Sequence, residues 1–168
     1  MTYFNKLHCN LIFSACFIAA LLPMVSHADE TLTGTVSIID GDTFEIHGQR
    51  IRLAGIDAPE SSQKCYTENG SPWRCGQKIA NNISKLIGRK TITCNISGND
   101  RYGRHIGTCF YKGKNINKTI VHFGWAMAYR KYSTAYVGTE NTARTAKRGI
   151  WTGPFIAPWD WRKGVRYE

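Results

Sequence analysis

Two short runs, Ile39-Asp40-Gly41-Asp42-Thr43 and Arg52-Leu53-Ala54-Gly55-Ile56-Asp57-Ala58-Pro59-Glu60, flank a segment that reads as a β-hairpin. Thr43 to Ile46 and Gln49 to Leu53 are rich in β-branched, aromatic and aliphatic residues, and His47-Gly48 between them suits a tight turn. An antiparallel hairpin brings its open ends together, so Asp42 and Asp57 are expected side by side. Carboxylates crowded this way repel unless something positive sits among them, and the fixed positive charges in the segment are Arg50 and Arg52. A fold that tolerates this cluster must offer it a cation or a partner of the right charge.

The rest of the chain alternates in a way that extends the hairpin into a small barrel. Thr31 to Ile39 reads as a first strand, and Pro59 to Gly76 as a polar loop. From Gln77 the apolar residues Ile79, Ala80, Ile83, Leu86 and Ile87 recur at helical spacing, with Gly88 placed as a C-terminal cap. Strands are expected over Lys90 to Ser97 and His105 to Tyr111, around the polar tip Gly98 to Arg104. Asn115 can cap a short helix ended by Gly124, and a last helix is expected from about Glu140 to Arg148. Five strands with a helix inserted after the third predict an α+β, mainly β architecture: a five-stranded β-barrel of the oligonucleotide-binding type with about three helices.

Residues 1–28 have the form of an export signal, with Lys6, an apolar run from Leu11 to Val25, and small residues at Ser26-His27-Ala28. The run is shorter than the roughly 20 residues of a spanning helix, and it continues past Cys16, which argues against a lipidated cysteine there. Residues 29–168 are then expected to form one domain, with a Trp/Pro-rich basic tail from about residue 150, no membrane association after cleavage, and a periplasmic or secreted location. Lys and Arg outnumber Asp and Glu by 22 to 12, and the signal accounts for only Lys6 of this excess. Such a balance suits a polyanionic partner. In the tail, Trp151, Trp159 and Trp161 with Arg162, Lys163 and Arg166 could stack bases and grip phosphates, but tryptophans packed back on the barrel and a solvated cationic end is the favoured reading.

Four cysteines remain after cleavage, and an exported chain invites two disulfides. Cys94 and Cys109 stand at comparable distances from the predicted hairpin tip, and Cys65 and Cys75 bracket the polar loop, so these two pairings are expected. A zinc site would need closer C-x-x-C spacing or partnering histidines. His47, His105 and His122 form no ligand spacing, and the Asn-x-Ser/Thr triplets at Asn82, Asn95 and Asn117 are read as chance.

With Asp100-Arg101-Tyr102-Gly103-Arg104 added, the three runs in this order and spacing resemble the thermonuclease family, the staphylococcal-nuclease-like domains, over Thr33 to about Trp151. The resemblance implies one calcium ion held by Asp42, Asp57 and the main-chain carbonyl of Ala58, a position where many relatives carry Thr. Hard oxygen donors without His or Cys also favour calcium or magnesium on their own chemistry. Glu60, aimed by Pro59, is the general-base candidate or the group that orients the attacking water. Arg52 and Arg104 resemble the two phosphate-contacting arginines, a role suited to a forked, permanently charged group. Asp40 supports the metal's surroundings or caps the turn; Tyr102 and Tyr129 match nucleotide-side tyrosines. Arg101, Arg130 and Lys131 are assigned to the general basic surface.

The activity implied is calcium-dependent endonucleolytic hydrolysis of DNA and RNA with little sequence preference, leaving 3′-phosphate ends. A monomer without a stable protein partner is expected. The rival from another class is a non-catalytic barrel that binds nucleic acid, disfavoured because Asp42, Arg52, Asp57, Glu60 and Arg104 are all present. A disulfide-stapled protein binding envelope polyanions would leave the acidic cluster unexplained.

Overall fold

The computed structural model describes Met1 and residues 30–167; the expected signal over residues 1–28 lies almost wholly outside them. The elements in chain order are β1 (Thr31–Thr35), β2 (Ser37–Ile38), β3 (Thr43–Ile46), β4 (Gln49–Leu53), β5 (Ile56–Asp57), β6 (Cys65–Tyr66), β7 (Pro72–Trp73), α1 (Cys75–Ile87), β8 (Thr91–Asn99), β9 (His105–Tyr111), β10 (Lys114–Asn115), α2 (Ile116–His122), β11 (Met127–Ala128), α3 (Val137–Thr145), a 3-10 turn (Gly149–Thr152) and α4 (Pro158–Trp161). The main sheet runs β1-β8-β9-β4-β3-β2, with β10 added on β9, and curls into a half-barrel. This is the expected barrel built in more pieces. The first strand breaks at Val36, which turns inward while β1 and β2 pair with different neighbours, β8 and β3.

The β3–β4 hairpin forms where expected. His47 and Gly48 both take positive φ (51° and 76°), as a turn matching the twist of the flanking strands requires. Its inward residues Phe44, Ile46, Ile51 and Leu53 are essentially solvent-free and meet Ile79, Ile83 and Ile87 from one face of α1. Burying each such side chain contributes about 1.5–3 kcal/mol. β4 pairs in parallel with β9, Arg52 opposite Ile106, so the hairpin is locked to the strand that follows Arg104. The β8 strand carries an irregularity between Ile96 and Gly98, which bends it toward that tip.

Both expected disulfides are present, Cys65–Cys75 and Cys94–Cys109. Asn115 caps α2 as expected, its side chain accepting from the Lys118 N–H at 2.8 Å. The third helix lies earlier than expected, beginning at Val137, because Tyr136 is drawn into the core and its carbonyl accepts from the Glu140 N–H at 2.9 Å. No described helix is long and apolar enough to cross a membrane.

Candidate active site

Asp42 stands at the entrance to β3 and Asp57 at the end of β5, and the hairpin geometry does bring them together. Arg52 lies between them: its Nη1 is 2.8 Å from Asp42 Oδ2 and its Nη2 is 2.8 Å from Asp57 Oδ1. Asp42 Oδ2 also accepts from the Ala58 N–H at 2.7 Å, and Thr43 Oγ1 donates to Asp42 Oδ1 at 3.3 Å. Asp57 is fully buried and Ala58 nearly so. Asp40 Oδ1 accepts from the Asp42 N–H at 3.0 Å, so the turn-capping contact considered for it is present. Burial pushes the Asp42 carboxyl up to about 7, assisted by Asp40 and Asp57 and opposed by Arg52 and the Ala58 N–H.

Two short contacts between elements hold this geometry. β5 pairs with β11, Asp57 opposite Met127 and Ile56 opposite Ala128. The buried Glu140 on α3 braces β11 in turn, accepting from the Ala128 N–H at 2.9 Å and from the Arg130 guanidinium. Arg130 is thus committed to structure and not to a free basic surface.

Arg104 reaches the same end of the molecule from the β8–β9 tip. Asp100 holds it, accepting from its Nε and Nη2, both at 2.8 Å, and from its backbone N–H at 3.0 Å. Burial pushes the Asp100 carboxyl up, but the hydrogen bonds from Arg104 and Tyr102 outweigh it and leave it below its ordinary value. Arg104 Nη1 then donates to Thr43 Oγ1 at 3.3 Å, one hydroxyl away from Asp42. Tyr102 is three-quarters exposed, with the Arg101 and Arg104 guanidinium groups 5.9 and 5.7 Å from its ring centre. Tyr129 lies across the cleft, its N–H donating to the Gly55 carbonyl at 2.9 Å and its ring stacked on Trp159 at 5.7 Å. The cleft between these groups encloses about 720 Å³ and is lined by Asp42, Arg52, Tyr102, Arg104 and Tyr129 among others.

Glu60 sits on the loop after β5, and its placement is determined by backbone. Its carbonyl accepts from the Gln63 N–H at 2.7 Å, and its N–H donates to Gln63 Oε1 at 3.2 Å. Gly76, in the first turn of α1, lies against that carbonyl so closely that a Cβ there would stand 1.8 Å from it. Gly76→Ala is therefore expected to lower stability by about 3 kcal/mol and to displace Glu60, so activity per folded molecule falls as well. Thermal unfolding combined with turnover measured well below the midpoint checks both.

The sequence reading missed Arg162. The tail does end in exposed residues, 162–167, with Trp159 packed back on Tyr129 as expected, but its first cation is not idle: Arg162, directly after α4, lays its guanidinium onto Asp57 and Glu60. Its Nη2 donates to Asp57 Oδ2 at 2.7 Å, and its Nη1 to Asp57 Oδ1 at 3.1 Å and Glu60 Oε1 at 2.7 Å. Burial pulls this guanidinium's basicity down, and the hydrogen bonds to Asp57 and Glu60 more than reverse that. Gln63 was missed as a support because its partners are backbone groups that no spacing rule points to, and Asp100, noted only as part of the Asp100–Arg104 run, was not read as the carboxylate that holds Arg104.

Among the described residues no three Asp, Glu, His or Cys side chains converge into a ready-built metal cage. The acids are instead joined in sequence by guanidinium groups, Asp42 to Asp57 through Arg52 and Asp57 to Glu60 through Arg162. Hard carboxylate donors that already gather positive charge fit a hard divalent cation.

Residues 50–153 match the family model described as staphylococcal nuclease homologue. The chain belongs to the staphylococcal nuclease family. It is 37% identical over 140 residues to the succinoglycan biosynthesis protein ExoI of Rhizobium meliloti (strain 1021), spanning 82% of this chain and 73% of the relative. An uncharacterized endonuclease of Escherichia coli O157:H7 is 36% identical over 135 residues, covering 76% and 82% respectively. Micrococcal nuclease of Shigella flexneri is 33% identical over 149 residues, covering 78% and 80%. The α+β barrel is the fold of this nuclease family, and the endonuclease and micrococcal nuclease above match over most of their length.

Proposed function

We propose that this staphylococcal nuclease homologue is an exported, calcium-dependent endonuclease that hydrolyses DNA and RNA with little sequence preference and leaves 3′-phosphate ends. The observation that carries the proposal is the meeting of Asp42, Asp57, Arg52 and Arg104 at one end of the aromatic-sided cleft, Arg104 linked to Asp42 through Thr43. Asp42, Asp57 and the Ala58 carbonyl would hold one calcium ion. Bound there, calcium would polarise a phosphoryl oxygen and orient a water.

The chain's own residues perform the remainder. Arg52 and Arg104 grip the scissile phosphate and meet the extra negative charge that develops as phosphorus becomes five-coordinate. Glu60 takes the proton from the attacking water, which displaces the 5′ oxygen in line. Tyr102 and Tyr129 flank the nucleotide. Among the described residues none of the helices α1–α4 lines the cleft, in keeping with low sequence preference. The two disulfides and the basic charge fit an exported chain with a polyanionic substrate.

Titrating nuclease activity of the purified mature protein with calcium and magnesium, on native DNA, denatured DNA and RNA, tests metal and substrate together. Plasmid that stays intact at saturating calcium while still binding the protein would favour the non-catalytic alternative.

The pH dependence follows from Asp42. Its raised pKa keeps it protonated below about 7, and a cation at that position requires the carboxylate. Calcium affinity is therefore expected to weaken as pH falls below about 7, with proton release on binding in that range. Calorimetric titrations in two buffers of different ionisation enthalpy measure both effects.

A further inference from the structure

The tail is fastened to the barrel independently of Arg162. Gln63 Nε2 donates to the Ile156 carbonyl at 2.6 Å, the Tyr66 N–H donates to the Pro154 carbonyl at 2.9 Å, and Trp159 lies parallel to Tyr129 within 7°. Gly153 fits so closely against the Tyr66–Thr67 backbone that a Cβ would stand 2.3 Å from the Tyr66 carbonyl oxygen. These anchors deliver the Arg162 fork to the acids. Arg52 answers Asp42 and one oxygen of Asp57; the other oxygen of Asp57, and Glu60, have Arg162 as their charged partner.

We propose that Arg162 is a tethered counter-ion, an autoinhibitory contact that a divalent cation must displace from Asp57 and Glu60 before the site is competent. The proposal rests on the reading of Asp57 as a ligand of the cation and of Glu60 as the base beside it. A guanidinium that donates to both oxygens of Asp57 and to Glu60 covers the carboxylates from the cleft side, where Arg162 itself forms part of the lining. Entry of the ion and release of the Arg162 contact are then one equilibrium. A site that is blocked most of the time shows an apparent affinity reduced by the fraction that is open. Loading also loosens α4, since its charged anchor is lost while the Gln63 and Tyr66 contacts remain.

Calorimetric titration of the full mature protein with calcium chloride, without nucleic acid, tests this. Arg162→Gln is expected to bind calcium about tenfold more tightly than the wild type. Arg162→Lys, which keeps the charge but not the fork, should fall between them. Arg166→Gln removes a charge from the same tail, where Arg166 lies over the Trp161 ring and bonds local carbonyls, and should leave the affinity unchanged. Hydrogen exchange over residues 158–163 should quicken with calcium in the wild type and already be fast in Arg162→Gln. Equal calcium affinity in wild type and Arg162→Gln would overturn the proposal while leaving the cation site standing. No binding in either protein would overturn both. Binding that appears only in Arg162→Gln would support it.

Discussion

Glu60→Gln is expected to lower turnover on denatured DNA at saturating calcium by about 10²- to 10⁴-fold, the usual worth of a positioned general base. The fold should survive. Glu60 is about one-third exposed, its loop is held by backbone contacts to Gln63 and by Gly76, and its ion pair with Arg162 is worth at most about 1 kcal/mol at such a position. Arg104→Ala is expected to cost about 10³-fold in kcat with a smaller change in KM, because the guanidinium acts on charge that develops only as the bond breaks. Arg104→Lys should recover little of that loss, since a lysine cannot satisfy Asp100 and a phosphate with one planar fork. Steady-state kinetics with circular dichroism on each variant reads both outcomes. Near-wild-type activity in either Glu60→Gln or Arg104→Ala removes the role assigned to that residue.

The second large effect is on stability. Asn117 is wholly buried: its Oδ1 accepts from the Cys109 N–H at 3.1 Å, and its Nδ2 donates to the Ala54 and Gly107 carbonyls at 3.0 and 3.2 Å. One amide thereby ties α2 to β9 and to the turn between β4 and β5. Asn117→Ala removes this partner from the Cys109 N–H and the Ala54 carbonyl, while the Gly107 carbonyl keeps the Ala54 N–H at 2.8 Å, and is expected to cost about 3 kcal/mol, a fall of about 10 °C in Tm. Asn117→Asp should not rescue it, because a carboxylate cannot donate to the two carbonyls. Thermal unfolding of the oxidised proteins measures the difference.

Asn117 also shows where sequence reading stops. As part of an Asn-Lys-Thr triplet it looked like a chance glycosylation pattern, since its partners are backbone atoms of distant strands. The β3–β4 hairpin, the apolar face of α1, the Asn115 cap and both disulfides were legible because each depends on neighbours in sequence or on a period. The pairing of Asp42 with Asp57 followed from the same local logic. The two-residue strands β5 and β11 were not legible, since such short pairings carry no pattern of their own and depend on Glu140 holding β11 in place. Arg162 was hidden differently. A cation in a Trp/Pro-rich tail looks solvated until α4 and the contacts of residues 153–156 set where the tail runs. The candidate site was therefore visible as a set of residues, and its third guanidinium only as a consequence of tertiary docking.

The parallel pairing of β4 with β9 bears on when the candidate site is assembled. Arg52 lies on one of these strands and Arg104 just before the other, and Ile51 meets His105 only after everything between them has been brought round. Contacts so distant along the chain form late, because the entropy of closing the intervening segment must be overcome first. A refolding chain should regain its hairpin and α1 well before Arg52 and Arg104 stand together at the candidate site. On the proposed nuclease reading, partly folded molecules, including those still emerging from synthesis, are then inert toward the nucleic acids around them.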